Sequence, residues 1–149
     1  MQCLRPHVIV PFVDQGAITI ALGVGSALAA GVVAFANVVG YDRDRAFYPA
    51  VLTVVGSLYV LFAVMAGGGH DLILEVAFFA GFAALAAIGF QKSLSLVAAG
   101  LALHGAFDFA RHYFLTAPGA PEWWPAFCGS FDIVAAIGLA GLLRLRSRR

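Results

Sequence analysis

Five stretches of this sequence each run close to the ~20 residues that a helix needs to cross the ~30 Å apolar core of a bilayer, and little chain is left between them. With 62% apolar and 11% charged residues over 149 positions, the chain is far from a soluble domain, where about 25% of residues are charged. The expected fold class is therefore all-α, a polytopic transmembrane bundle forming a single integral membrane domain over 1–149, with spans near 16–40, 49–66, 71–90, 94–115 and 125–143. No internal repeat is evident.

Local signals set the span limits. Tyr41-Asp42-Arg43-Asp44-Arg45 reads as a solvated turn whose local ion pairs contribute little. Pro49 then suits the opening of a second helix. Gly67-Gly68-Gly69 is a flexible connector, Gln91-Lys92-Ser93 is a short turn, and Pro118, Pro121 and Pro125 break the chain before the last span. Trp123 and Trp124 stand at that span's entrance, where aromatic residues favour the headgroup region. In the first span, Gly23, Ala27 and Gly31 form a small-residue stripe expected to let a neighbouring helix approach closely. Ala27-Leu28-Ala29 follows an apolar run as a signal-peptide cleavage site would, but the run continues through Val39 and so reads as a span.

The basic residues set the orientation. Four of the nine lie in the tail, as Arg144, Arg146, Arg148 and Arg149. A cytoplasmic C-terminus also places Arg43, Arg45 and Lys92 inside, leaving Arg5 outside and Arg111 near the outer boundary, so the positive-inside rule gives N-out and C-in. The tail reads as a cytoplasmic anchor and not as a nucleic-acid arm; no nucleic-acid partner is expected. A bacterial cytoplasmic membrane is the expected location. Short connections predict that consecutive helices are antiparallel neighbours. Cys3 and Cys128 are the only cysteines. They read as two unrelated thiols, although an oxidising exterior would permit a bridge.

Against this apolar background, His104, Asp108 and His112 recur at i, i+4 and i+8 on one stripe of the fourth span. Glu75 lies in the first turns of the third span and Asp132 about two turns into the fifth. At ~1.5 Å of rise per residue, the three carboxylates fall roughly 5 to 12 Å below the outer boundary. Ionisable groups are costly in hydrocarbon, so all should face the bundle interior and mark a function. Arg111, His70 and Asp71 lie near the mouth of the same layer, Arg111 reading as a side chain that snorkels to the interface.

The pattern Gly67-Gly68-Gly69 to Glu75, Leu103-His104-Gly105-x-x-Asp108-x-x-x-His112 and Cys128-x-x-x-Asp132 resembles a family of small bacterial integral membrane proteins known as a domain of unknown function. The likeness covers about the C-terminal half. Where that family has paired histidines after the aspartate and a proline after the last one, this chain has Arg111-His112 and Asp132-Ile133. The resemblance implies no established activity.

Neutral imidazole with carboxylate is a first-row donor set, suited to zinc, iron or manganese, so Glu75, His104, Asp108, His112 and Asp132 are candidate metal ligands. His104 and His112 stand ~12 Å apart along the helix, too far to share one ion. A single metal would use Asp108 with one histidine and Glu75 or Asp132; all five would need two metals or an indirect role for the second histidine. Metal-bound water acting on a lipid or another small apolar substrate would be the enzymatic use.

Other uses compete. A proton or ion relay would need a path inward, and below His104 the spans offer only uncharged groups such as Asn37, Thr53, Ser57 and Tyr59. A structural role, as a homo-oligomer or a subunit of a membrane complex, would use the same polar groups as glue between helices. A haem held by His70 with His104 or His112 would leave the carboxylates unexplained. Phosphate-loop, Gly-x-Ser-x-Gly and His-Glu-x-x-His motifs do not occur.

Overall fold

The computed structural model describes residues 14–114 and 119–148, except for the side chains of 112–114. Cys3, Arg5, the segment 115–118 and the His112 side chain thus lie outside the described residues. The rest folds into five helices with no strand among the described residues: α1 Gln15–Val39, α2 Phe47–Met65, α3 His70–Gln91, α4 Leu94–Phe114 and α5 Trp124–Ser147. α1, α2, α3 and α5 are long and apolar enough to cross a membrane. α4 has comparable length, but His104, Asp108 and Arg111 lower its hydropathy.

Helix ends follow their local chemistry. The Asp14 carboxylate accepts from the Gly16 N–H at 2.9 Å and caps α1. Gly40 ends α1 with φ 92°, in the left-handed region that glycine enters without a Cβ penalty. Gly67, Gly68 and Gly69 have φ of 101°, 76° and 86°. The sharp reversal from α2 into α3 therefore needs three consecutive glycines. Pro125 occupies the first turn of α5, where its missing N–H costs nothing.

α2, α3 and α4 pack on one another, α5 lies along α4, and α1 lies on the far side of α5. Consecutive helices are thus neighbours except for α1 and α2, which α5 and α4 separate. The contact face of α1 is Ala21, Gly25 and Ala29. A Cβ on Gly25 would collide with the Phe127 carbonyl and the Ser130 hydroxyl of α5. The expected stripe of Gly23, Ala27 and Gly31 is instead exposed, and a Cβ on Gly23 or Gly31 would meet nothing within 4 Å. Two stripes of identical spacing lie two residues, about 200°, apart on one helix; tertiary packing selects between them.

The turn after α1 also differs from a solvated one. A single 3-10 turn, Tyr41–Arg43, buries Asp42 to 1% exposure. Arg146 of α5 donates to the Asp42 backbone oxygen at 3.0 Å and to its carboxylate at 2.5 Å, and Asn37 donates to the same carboxylate at 2.9 Å. Arg45 donates to the Phe90 carbonyl at 3.2 and 2.9 Å and so satisfies the end of α3. The charged turn ties α1, α3 and α5 together.

α4 and α5 approach most closely where glycines face each other. A Cβ on Gly105 would stand 2.8 Å from the Gly129 carbonyl, and one on Gly129 would stand 3.1 Å from the Gly105 carbonyl. Gly105 adjoins His104 and Gly129 adjoins Cys128. The crossing that the glycines permit therefore brings the polar residues of the two helices together.

Candidate metal centre

At that crossing each helix contributes an i, i+4 pair: His104 and Asp108 from α4, Cys128 and Asp132 from α5. This spacing aligns the members of each pair on one helix face. Ligand atoms from all four residues lie within 4.8 Å of one another. His104 Nδ1 is 2.6 Å from Asp132 Oδ2 and 3.5 Å from Asp108 Oδ2, and Cys128 Sγ is 3.9 Å from Asp132 Oδ2. Bond lengths of ~2.0–2.3 Å in a tetrahedral site imply donor separations of roughly 3.3–3.7 Å. To meet that geometry the His104–Asp132 contact must open by about 0.7 Å and the widest separations, up to 4.8 Å, must close by about 1 Å.

Burial is nearly complete: Asp108 and Asp132 are 0% exposed, His104 1% and Cys128 2%. Yet both oxygens of Asp108 and Oδ1 of Asp132 lack a hydrogen-bond partner among the described residues. Buried acceptors in this state carry a large desolvation cost, greater still for carboxylates. A cation bound through one oxygen of each carboxylate would offset much of that cost. The Phe82 ring stands edge-on to the His104 imidazole at 4.7 Å between centroids and walls off that side.

Glu75 is used differently. It forms a two-pronged ion pair with Arg111, whose Nη1 donates to Glu75 Oε2 at 2.9 Å while Nη2 pairs with Oε1. Arg111 lies over the Tyr59 ring at 4.4 Å and near the Phe107 ring at 5.6 Å. With Glu75 4% and Arg111 3% exposed, this is a buried pair linking α3 to α4, where the sequence suggested a ligand and a snorkelling cation. The two-pronged carboxylate and the aromatic faces shield the guanidinium, so it has no need to reach water.

The Tyr59 hydroxyl of α2 faces the Asp108 carboxylate without closing a hydrogen bond. It lies beside the cluster and not below it, as its place in the sequence had suggested. His70 and Asp71 are exposed at the start of α3. Of the candidate ligands, the structure brings together His104, Asp108 and Asp132, and assigns Glu75 to Arg111.

Cys128 is the member that sequence reasoning passed over. It is a free, buried thiol. Its signal was present, because Cys128-x-x-x-Asp132 repeats the spacing of His104-x-x-x-Asp108, but treating cysteine as a disulfide question hid it. Comparison with known protein families, curated proteins and solved structures finds no match. The site's own chemistry must therefore carry the functional argument.

Proposed function

We propose that this protein is a membrane-spanning metalloprotein in which His104, Asp108, Cys128 and Asp132 hold one divalent first-row ion. The observation that carries the reading is the convergence of four buried donors from two helices on two carboxylates, three of whose oxygens have no hydrogen bond among the described residues. An imidazole, a thiolate and two carboxylates suit zinc best; the sulfur favours zinc or iron over manganese. Four protein donors without solvent contact match a closed, structural coordination shell more than one with a vacant position. The ion then clamps α4 to α5 within the bilayer. A metal-dependent reaction on a lipid or another apolar substrate would require one donor to yield its place. By the positive-inside rule the N-terminus is outside, the arginine-rich tail is inside and the centre lies in the outer half of the membrane.

Elemental analysis of the purified protein tests the reading, with about one zinc or iron per chain as the expected result. Cobalt substitution should add a thiolate-to-cobalt absorption band that Cys128→Ser removes. Absence of both metal and cobalt binding would refute it.

One observation favours a second reading, a proton relay. Glu75, Arg111, Tyr59, Asp108, His104 and Asp132 form a nearly continuous polar chain across α3, α2, α4 and α5. Below His104, however, α4 turns Leu101 and Val97 inward, both 0% exposed, so this chain meets an apolar layer. A proton flux in liposomes that persists without metal would favour the relay.

A further inference from the structure

A furrow of about 580 Å³ runs between α4 and α5 on their outer surface. Alanines line most of its length, among them Ala99, Ala102, Ala136 and Ala140, with Ile137 and Leu143 on the α5 wall. Its end, at the side of the basic tail, is polar: Ser95, Arg144 and Ser147. We propose that the furrow binds an anionic glycerophospholipid, with one acyl chain along the alanines and the phosphodiester on Arg144 and Ser95.

Three features favour that occupant. The Arg144 guanidinium has no hydrogen bond or ion pair among the described residues, whereas Arg146 is committed to Asp42 and Arg45 to the end of α3. A cation with the Ser95 hydroxyl beside it complements a phosphodiester, which accepts hydrogen bonds and carries one negative charge, while the Ser147 hydroxyl donates to the Arg144 carbonyl at 2.9 Å. The length also fits. The stretch from Ala136 to Ser147 rises ~16 Å, about one leaflet of the ~30 Å hydrocarbon core. A lipid whose phosphate sits at Arg144 would thus extend its chain to the furrow's inner end. Alanine at these positions leaves the two helices without side chains that would fill the space, and dispersion contacts with the acyl chain take their place.

The furrow is independent of the metal centre. Ala102 and His104 point roughly 200° apart around α4, the first toward the furrow and the second into the core. Failure of either proposal therefore leaves the other standing.

The test measures lipid binding to the detergent-purified protein by native mass spectrometry and melting temperature, with phosphatidylglycerol, phosphatidylcholine and inorganic phosphate as separate probes. Phosphatidylglycerol should bind most tightly. Arg144→Gln should weaken it about five-fold, the usual contribution of one basic side chain at an anionic lipid surface, while Arg148→Gln, outside the furrow, should have little effect. Ala99→Phe, at an exposed position that tolerates bulk, should block both lipids by filling the furrow. Equal binding of the two lipids, equal effects of Arg144→Gln and Arg148→Gln, or no effect of Ala99→Phe would each overturn the proposal. Stabilisation by inorganic phosphate equal to that by phosphatidylglycerol would also overturn it, by showing a site for an anion alone.

Discussion

Glu75→Gln keeps the shape of the side chain and removes the charge that neutralises Arg111 inside the bundle. Both groups are at most 4% exposed and share two contacts. Breaking a buried pair from one side costs about 3–5 kcal/mol, because the remaining ion keeps its desolvation penalty. For a chain of this length, 1 kcal/mol corresponds to about 2–4 °C in melting temperature. A fall of roughly 6–20 °C is therefore expected in detergent-purified protein. The double variant Glu75→Leu/Arg111→Met removes both charges and should recover most of that loss, less about 1 kcal/mol for the guanidinium's contacts with Tyr59 and Phe107. Metal content should not change in either variant, since Glu75 is engaged by Arg111. Two results would refute this reasoning. One is a melting temperature for Glu75→Gln within about 2 °C of the parent. The other is a stable double variant that has lost its metal, which would make Glu75 a ligand.

Gly105→Ala should lower stability by about 1–3 kcal/mol and loosen metal binding, because its Cβ would stand 2.8 Å from the Gly129 carbonyl. Gly81→Ala, where nothing lies within 4 Å, should be neutral or stabilising by up to about 1 kcal/mol in thermal melts. Arg146→Gln deprives the buried Asp42 of its charged donor and should cost about 1–3 kcal/mol by the same assay. A reporter fused after Arg149 should behave as cytoplasmic and one placed between Gly119 and Pro121 as external; the reverse would move the proposed metal centre to the inner half of the membrane.

The helices were legible because length, apolarity and breakers act locally: a span expected over 16–40 became α1 Gln15–Val39, and one expected over 71–90 became α3 His70–Gln91. Partner choice was not legible. Lipid is as apolar as leucine, so hydrophobicity does not distinguish the protein-facing side of α1 from its lipid-facing side. The exposed Gly23, Ala27 and Gly31 and the buried Ala21, Gly25 and Ala29 consequently carry the same signal. His104, Asp108 and Asp132 could be anticipated from the cost of charge in hydrocarbon. The pairing of Glu75 with Arg111, 36 residues apart, and of Asp42 with Arg146, 104 apart, depends on side-chain reach across helices that sequence spacing does not encode.

Asp108→Asn separates a metal clamp from structural glue because the two predict opposite signs. Without metal, Asp108 is a fully buried carboxylate with neither oxygen hydrogen-bonded among the described residues, near a second carboxylate, Asp132, that shares His104. An amide of the same shape removes the desolvation cost of the charge and its repulsion from Asp132. The metal-free variant should therefore melt at or above the metal-free parent. With metal the order reverses, since an ion bound to the folded state alone stabilises it by about 2.7 kcal/mol at a hundred times its dissociation constant, or roughly 5–11 °C here. That increment should appear in the parent and vanish in Asp108→Asn. The parent's increment should also shrink as pH falls, because protons compete with the metal for its donors. If Asp108→Asn instead lowers the melting point of the metal-free protein, the carboxylate already has a stabilising partner in the fold, and the case for an ion at this crossing fails.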